Sequence, residues 1–369
     1  MKFSKKIAQL TAILAICAIV AGFAGCTGGE PSWDWASEPA AKKTGVTINV
    51  YNWGEYIAPD TNRAFTRLTG IKVNYTTYDE NETMYTRLKS GATDYDVVFP
   101  SDYMIGKMIA EGMLQKLDYA NIPNANMIDP THLGMAYDPL NEYSVPYTWG
   151  TVGIFYNKKY VSEADLAQGW GLLWDSKFDQ KIVMINNSRD AFGIALKKLG
   201  YSMNTENPDE IAKAFEELKT QKPLLSRYAM DEVYDIMIGE HAYIAPYYAG
   251  DGIIMMDEHD GNTDIDFFIP DEGTNLFVDA MCIPTSSKNK AEAEAYINFL
   301  CRTEVAIANA EAIGYSTPHI AALAGLDSAI SGNPIFYPPA AVLDKTEVFL
   351  TLSPETNRLV DDYWNDLKR

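Results

Sequence analysis

The chain has 369 residues, more than one hydrophobic core comfortably organises, so two domains are expected. Fifty acidic side chains stand against 30 basic ones, a net charge of −20. That balance argues against nucleic acid as a partner, because phosphate binding needs a basic face. It fits a cationic ligand, whose approach a negative field speeds, although solubility alone would also account for it.

The chain opens on Lys2, Lys5 and Lys6, continues almost wholly apolar from Ile7 to Val20, and passes through small residues to the stretch FAGC, ending at Cys26. A basic start, an apolar middle and a small-residue cleavage site describe a secretory signal over residues 1–25. The competing reading, a single membrane anchor, wants about 18 or more apolar residues. The run here is marginal and a cysteine closes it. FAGC resembles the bacterial lipobox, in which the chain is cut before a lipid-bearing cysteine, so Cys26 is expected to carry a lipid anchor. Removing the leader takes away three lysines and no acid, leaving 344 residues at a net charge of −23. Residues 26–45 mix Gly, Pro, Ser and charge without apolar periodicity and read as a flexible tether.

Further on, VTINVY (46–51) and IKVNYTTY (71–78) read as strands around a helical TNRAFTRLTG that ends in Gly70. YDVVFP (95–100) is a buried-strand pattern closed by Pro100, and KMIAEGMLQKL reads as a helix after it. NPDEIAKAFEELK (207–219) carries an Asn207 cap, Pro208 in the first turn, Glu210 three residues after the cap, and apolar Ile211, Ala214, Phe215 and Leu218 on one face. NKAEAEAYINFL (289–300) repeats the pattern, with Asn289 as cap and Glu292 closing the box. SRDAFGIALKKLG reads as a helix capped at Asn187 or Ser188, a start that would help keep Asp190 ionised. Alternating strands and helices predict an α/β fold with parallel sheets and crossover helices. Cys282 and Cys301 read as buried thiols, with pairing left open.

In open α/β sheets, ligands bind beyond the carboxyl ends of strands. Such ends are expected at NWGEY (52–56), PSDY (100–103), NNSRD (186–190), YYAGD (247–251) and FVDA (277–280). One acid after a strand is ordinarily a solvated turn residue. Five such ends with rings, carboxylates or both point to a cleft lined by aromatic faces and negative charge. P-loop, dinucleotide, GxSxG and HExxH motifs are absent, and the four histidines show no ligand spacing. DGNTDID (260–266) has Ile265 where a calcium loop of the EF-hand type needs Gly, and reads better as a turn. No metal, cofactor or catalytic group is expected, and no two carboxylates are fixed at a glycosidase spacing.

Together, VYNWGEYIAPDT, TGIKVNYTTYDENETMY, YDVVFPSDY, YSVPYTWGTVGIFYN, DIDFFIPDEGTNLFVDA, IPTSSKNKAEAEAYINFL and IGYSTPHIAA resemble the polyamine-binding (spermidine/putrescine) substrate-binding proteins of ABC importers, from about residue 46 to the C-terminus. The resemblance implies a type II periplasmic-binding-protein fold: two α/β lobes, a ligand cleft between them and no catalysis. Lobe 1 is expected over 46–150 plus 279–324, and lobe 2 over 151–278 plus 325–369, with crossings near Gly150 and Asp279 and before the C-terminal helices. It also implies a monomer that delivers putrescine or spermidine to ABC permease subunits from the outer face of the cytoplasmic membrane or the periplasm.

A polyamine is a methylene chain between ammoniums. Carboxylates accept charge-assisted hydrogen bonds from its ends, and rings cover its stem at about 0.5–2 kcal/mol per cation–π contact. The ligand residues expected on these grounds are Trp53, Glu55, Tyr56, Ser101, Asp102, Tyr103, Asn187, Asp190, Tyr247 or its neighbour Tyr248, Asp251, Phe277, Asp279 and Tyr315. Trp53 and Tyr56 also fit a core, and Tyr315 also fits loop packing. A lone carboxylate buried in an apolar strand is costly, which favours a ligand role for Asp279. Three departures from the spermidine-type pattern put spermidine preference in doubt: Asn187 for an Asp, Phe277 for a Trp, and an apolar residue around Leu350 for a Gln. A ligand-sensing surface lipoprotein for another organic cation, and a hydrolase, remain the competing readings.

Overall fold

The computed structural model describes residues 35–91, 94–256 and 264–369; the leader, Cys26 and most of the DGNTDID turn lie outside these. Among the described residues nine strands carry the fold: β1 (Thr47–Trp53), β2 (Lys72–Tyr78), β3 (Val97–Val98), β4 (Ser144–Asn157), β5 (Ile182–Ile185), β6 (Leu225–Ala229), β7 (Ile244–Tyr248), β8 (Ile265–Phe268) and β9 (Leu276–Cys282). They form two groups, β2-β1-β3-β9-β4 and β6-β5-β7-β4-β8, joined through β4.

The expectation of purely parallel sheets needs correction. β1 is parallel to β2 and β3, and β5 to β6 and β7, as crossover helices require. β9 and β4, however, run antiparallel to their neighbours. β4 is buried along its whole length, so its sequence has no alternation from which to read its two partners. Residues Ser144–Thr151 pair with β9, and Val152–Asn157 pair with β7 and β8. One strand therefore belongs to both lobes.

The cores follow this division. Ile48 and Val50 of β1 enter one cluster with Phe65, Tyr147, Met281 and Tyr296, while Tyr51 turns to the opposite face with Tyr95, Trp149 and Val278. That is the two-residue period of a sheet covered on both sides. A separate cluster gathers Val152, Phe155, Trp170, Ile185, Ile194 and Val233. Against it lie helices Ser188–Lys198 and Pro208–Gln221 and the C-terminal helix Pro354–Lys368, whose Tyr363 stacks on Phe215 at 4.3 Å.

Local expectations fare unevenly. Helix Thr61–Thr69 stops at Gly70 in a left-handed conformation (φ 76°), and a side chain there would strike the Lys42 carbonyl. Asn207 does cap Pro208–Gln221, accepting from the Asp209 amide, but Glu210 turns back to Thr205 at 2.5 Å instead of closing a box. Asn289 caps nothing with its side chain, which leans on Asp96. The helix expected over KMIAEGMLQKL is instead Asp102–Ala110, because Gly112 takes φ 67° and Leu114 pairs with Pro284. FVDA is the middle of β9, not a strand end. The segment expected as tether is bound to the body from Ala36 onward. Arg67 donates to the Ala36 and Glu38 carbonyls, Ala41 N–H to Arg67 O, and Arg302 meets Glu38 at 3.1 Å. Cys282 and Cys301 are free and buried.

Candidate ligand cleft

The carboxyl ends of the six parallel strands converge on one cavity of about 250 Å³. Its wall takes Trp53–Tyr56 at the end of β1, Asn81 after β2, Ser101–Tyr103 after β3, Asn187, Arg189 and Asp190 after β5, Asp231 and Tyr234 after β6, and Tyr248 and Asp251 at the end of β7. All fourteen residues expected from the sequence line this cavity. Their side chains do different things there.

Asp279 projects from mid-strand between the lobes and is 4% exposed. It accepts from Ser101 Oγ and from the Tyr56 hydroxyl, both at 2.6 Å, and Thr148 lies 2.8 Å from that same hydroxyl. Burial pushes its carboxyl up to about 6, against the pull of these donors. Asp251, in the turn after β7, accepts from Tyr234 at 2.6 Å and from Tyr315 at 2.7 Å, and burial again lifts it to about 6. Asp190 accepts from Tyr248 at 2.9 Å, while its second carboxylate oxygen is buried without a partner. Asp190 too is lifted to about 6 by burial, the Tyr248 hydroxyl and the Arg189 charge pulling back. The helix N-terminus does not offset this rise, yet at about 6 the carboxyl is still ionised at neutral pH.

Rings surround these acids. The Asn52 side chain accepts from Trp53 N–H and donates to Tyr56 O, folding the Gly54–Glu55 turn in which Glu55 takes φ 41°. Trp53 Nε1 donates to Phe99 O at 2.8 Å and its ring lies 4.6 Å from Tyr78. Tyr248, Phe277, Tyr315 and Tyr56 follow one another edge to face, with centroids 5.4, 5.8 and 5.3 Å apart. Tyr248 and Tyr315 are half-buried, Tyr56 and Phe277 buried, and a hydrocarbon stem or a cation would lie on their faces.

Other expected residues serve as scaffold. Asp102 is fully buried; it accepts from the Tyr103 and Val278 amides, and burial, with the Asp279 charge adding, drives it well above the carboxylate range. Asn187 caps helix Ser188–Lys198, accepting from the Arg189 and Asp190 amides. Tyr103 donates to Glu82, and Tyr247 to Asp231. Tyr248, not Tyr247, is the one that reaches Asp190. Glu55 stands on the exposed rim. Leu350 is exposed and off the cavity, whose wall takes Phe349 instead.

Sequence reasoning missed Asn81, Arg189, Asp231, Tyr234, Asn275 and Phe349. Arg189 is 7% exposed, donates to Leu350 O and Asn204 Oδ1, and lies 4.6 Å over the Phe349 ring. Asp231 follows β6 and obeys the same strand-end rule that found the others; SRYAMDEVYDIM simply hides the strand in front of it. Among the described residues no cluster of His, Cys, Asp and Glu could hold a metal. The arrangement offers buried acids bonded to neutral hydroxyls between aromatic faces, a chemistry for gripping an organic cation.

Comparison with known proteins agrees with this geometry. Residues 62–336 match the family described as bacterial extracellular solute-binding protein. The chain is similar to the spermidine/putrescine-binding periplasmic protein of Salmonella typhimurium, 36% identical over 87% of this chain and 91% of the relative. It is also similar to the putrescine-binding periplasmic protein SpuD of Pseudomonas aeruginosa, 32% identical over 87% and 91%. Among solved structures, the spermidine/putrescine ABC transporter substrate-binding protein PotD of Streptococcus pneumoniae superposes with TM-score 0.77 at 36% identity, covering 88% of this chain and 98% of that one. The PotD lipoprotein of Treponema pallidum gives TM-score 0.79 at 29% identity over 87% and 99%.

Proposed function

The chain belongs to the bacterial extracellular solute-binding protein family, and from that premise we propose that it captures a polyamine, putrescine, spermidine or both, and delivers it to an ABC permease without altering it. The observation that carries this reading is the set Asp190, Asp251 and Asp279. All three are buried in the cleft wall; Asp251 and Asp279 are held by neutral hydroxyls with no cation among the described residues bonded to them, while Asp190 has the Tyr248 hydroxyl and the Arg189 charge beside it. A buried acid without a countercharge is costly. A diammonium ligand supplies that charge, with Trp53, Tyr56, Tyr248, Phe277 and Tyr315 covering its methylenes. The relatives named for putrescine and spermidine support the same class of ligand.

The test is a thermal-shift panel of diamines, triamines, amino acids, sugars and metal salts, followed by calorimetry. Stabilisation by putrescine or spermidine, with the amine recovered unchanged, supports a receptor. Stabilisation by an amino acid or a sugar alone, or turnover of the ligand, removes the reading.

Lobe 1 takes residues 46–150 plus 279–324 and lobe 2 takes 151–278 plus 325–369 in this proposal. Supporting the crossing within β4 and the place of the C-terminal helix, the core clusters part between Trp149 and Val152 and that helix packs beside Ser188–Lys198, while Val278, Tyr337, Leu343 and Val348 pack with the lobe 1 cluster. The receptor works as a monomer held at the outer face of the cytoplasmic membrane by lipid on Cys26. A Cys26→Ser variant is then expected in the soluble fraction, and an uncleaved, membrane-bound variant would refute the anchor.

A further inference from the structure

Tyr315 reaches the cleft from lobe 1. Helix Thr303–Ile313 ends at Gly314 in a left-handed turn (φ 82°), and Ser316 pairs on both sides with Trp149 of β4, which pins the residue between them. The ring passes Tyr56 and Phe277 and meets the turn Ala249–Asp251 of lobe 2. It rests directly on Gly250: a Cβ built there would lie 2.4, 2.5 and 2.6 Å from Cδ2, Cγ and Cε2 of Tyr315. Its hydroxyl then donates to Asp251.

Tyr56 and Phe277 flank the ring and restrict its movement. The two donors on Asp251 differ in origin. Tyr234 belongs to lobe 2, 17 residues away in sequence, and travels with Asp251; Tyr315 belongs to lobe 1, 64 residues away, and leaves it when the lobes part. Resting on the receptor reading, we propose that Tyr315 is the latch of the closed cleft and that Gly250 is its seat, kept without a side chain so that the lobes can shut. Tyr315 thereby positions Asp251 for the ligand only in the closed state, and Gly250 becomes a positioning residue that need not touch ligand at all.

Four proteins test this: Gly250→Ala, Tyr315→Ala, the double variant, and Tyr315→Phe, which keeps the ring and loses the hydroxyl. Putrescine affinity and dissociation rate are measured for each, beside the ligand-free melting temperature. In the wild-type background Gly250→Ala is expected to weaken putrescine by about tenfold or more, chiefly through faster release. In the Tyr315→Ala background the same change should cost less than about twofold, since the obstructed ring is gone. Tyr315→Phe, which cannot wedge the lobes, should weaken putrescine by a few-fold. Equal cost of Gly250→Ala in both backgrounds, or none in the wild type, overturns the latch.

Failure of the receptor reading is told apart by a readout that needs no ligand. Spin labels on Lys288→Cys and Lys219→Cys, one exposed site in each lobe, report lobe separation in the amine-free protein. Gly250→Ala should shift the distance distribution outward only where Tyr315 is present. If the wild type binds no amine but this shift occurs, the latch stands and the ligand class falls; an unmoved distribution together with unchanged affinity removes the latch.

Discussion

In one lobe the strand order is β2-β1-β3-β9-β4 and in the other β6-β5-β7-β4-β8: each has a parallel trio, an antiparallel return strand, and a last neighbour. Both present the ends of the parallel trio to the cleft, yet they furnish it differently. Lobe 1 contributes Trp53, Tyr56, Asn81, Ser101 and two buried acids: Asp102, held by backbone amides, and Asp279, bonded to Tyr56 and Ser101 and held mid-strand by the ladder on either side. Lobe 2 contributes Asp190, Asp231 and Asp251, all on turns or helix starts beyond strand ends. Ladder neighbours fix a mid-strand carboxylate. Carboxylates on turns depend on what grips them, and here tyrosine hydroxyls grip all three. A diammonium ligand lying between Asp279 and the lobe 2 acids would tie the rigid pole to the adjustable one.

The largest expected effect breaks the rigid pole. Asp279→Asn removes a charge and keeps one acceptor oxygen for Ser101 or Tyr56; its new NH2 can donate to the other hydroxyl, which turns to accept, so folding should change little. Truncating one partner of a buried, hydrogen-bonded charge pair costs about 2–5 kcal/mol, a factor of 30 or more in affinity. Calorimetry that finds putrescine binding unchanged would take Asp279 out of the site. Asp190→Asn should cost less, because Asp231 and Asp251 remain on the same lobe; equal losses would mean that the two poles are not the unequal partners drawn here.

Lowering pH acts on both poles at once. Asp190, Asp251 and Asp279 stand at about 6 in the fold, above their ordinary 3.8. Between those values the folded chain holds protons that the unfolded chain has released. The ligand-free protein is therefore stabilised by these groups below about pH 4, and that contribution is lost as pH rises through 6. Amine binding needs the ionised acids and has the opposite sign. Going from pH 7 to 5 should weaken putrescine by up to about tenfold per pH unit for each acid that must ionise. Over the same range the ligand-free melting temperature should hold or rise. Parallel loss of affinity and of ligand-free stability would show that acid unfolds the cleft rather than neutralising it.

Ring truncation comes next. Trp53→Ala and Phe277→Ala each remove a wall from the stem or the cation, at about 0.5–2 kcal/mol where the contact is cation–π. Trp53 is also hydrogen-bonded to Phe99 O, so its variant should lose melting temperature as well as affinity. Phe277 forms no such bond in its side chain, and its variant should lose affinity with less stability. The reverse ranking would exchange the roles of the two rings.

What the sequence revealed follows the same divide between local and long-range physics. Strand ends with acids and rings are local events, so NWGEY, PSDY, NNSRD and YYAGD were legible and do converge. The antiparallel return of β4 and β9 was not, because a strand buried on both faces has no alternation to read. Asp231 was hidden because β6 is followed at once by a helix-like run. The apolar residue expected around Leu350 that reaches the wall is its neighbour Phe349; in extended chain adjacent side chains point to opposite sides, so the sequence alone does not choose between them. That Asp190 is lifted to about 6 was not legible, because its burial is a tertiary fact.

The smallest expected effect concerns which amine is preferred. A diamine needs an acid at each end, and a triamine gains from one more. The resemblance puts Asn187 where the spermidine-type pattern has an acid and Phe277 where it has a Trp, so putrescine should bind at least as tightly as spermidine. The structure gives Asn187 a second duty: its side-chain oxygen caps the helix that carries Asp190. Asp is as good a cap as Asn, so Asn187→Asp should fold as before and add one negative charge beside Asp190. That charge opposes ionisation of Asp190 and attracts a further ammonium, two effects that partly cancel for a diamine and not for a triamine. The expected result is a shift toward spermidine of no more than about tenfold, or about 1.4 kcal/mol. Side-by-side titration of both amines at one pH and one salt concentration measures it. A tenfold preference for spermidine in the wild type, with no change in Asn187→Asp, would mean that the asymmetry between the lobes, not this position, sets the length of the ligand.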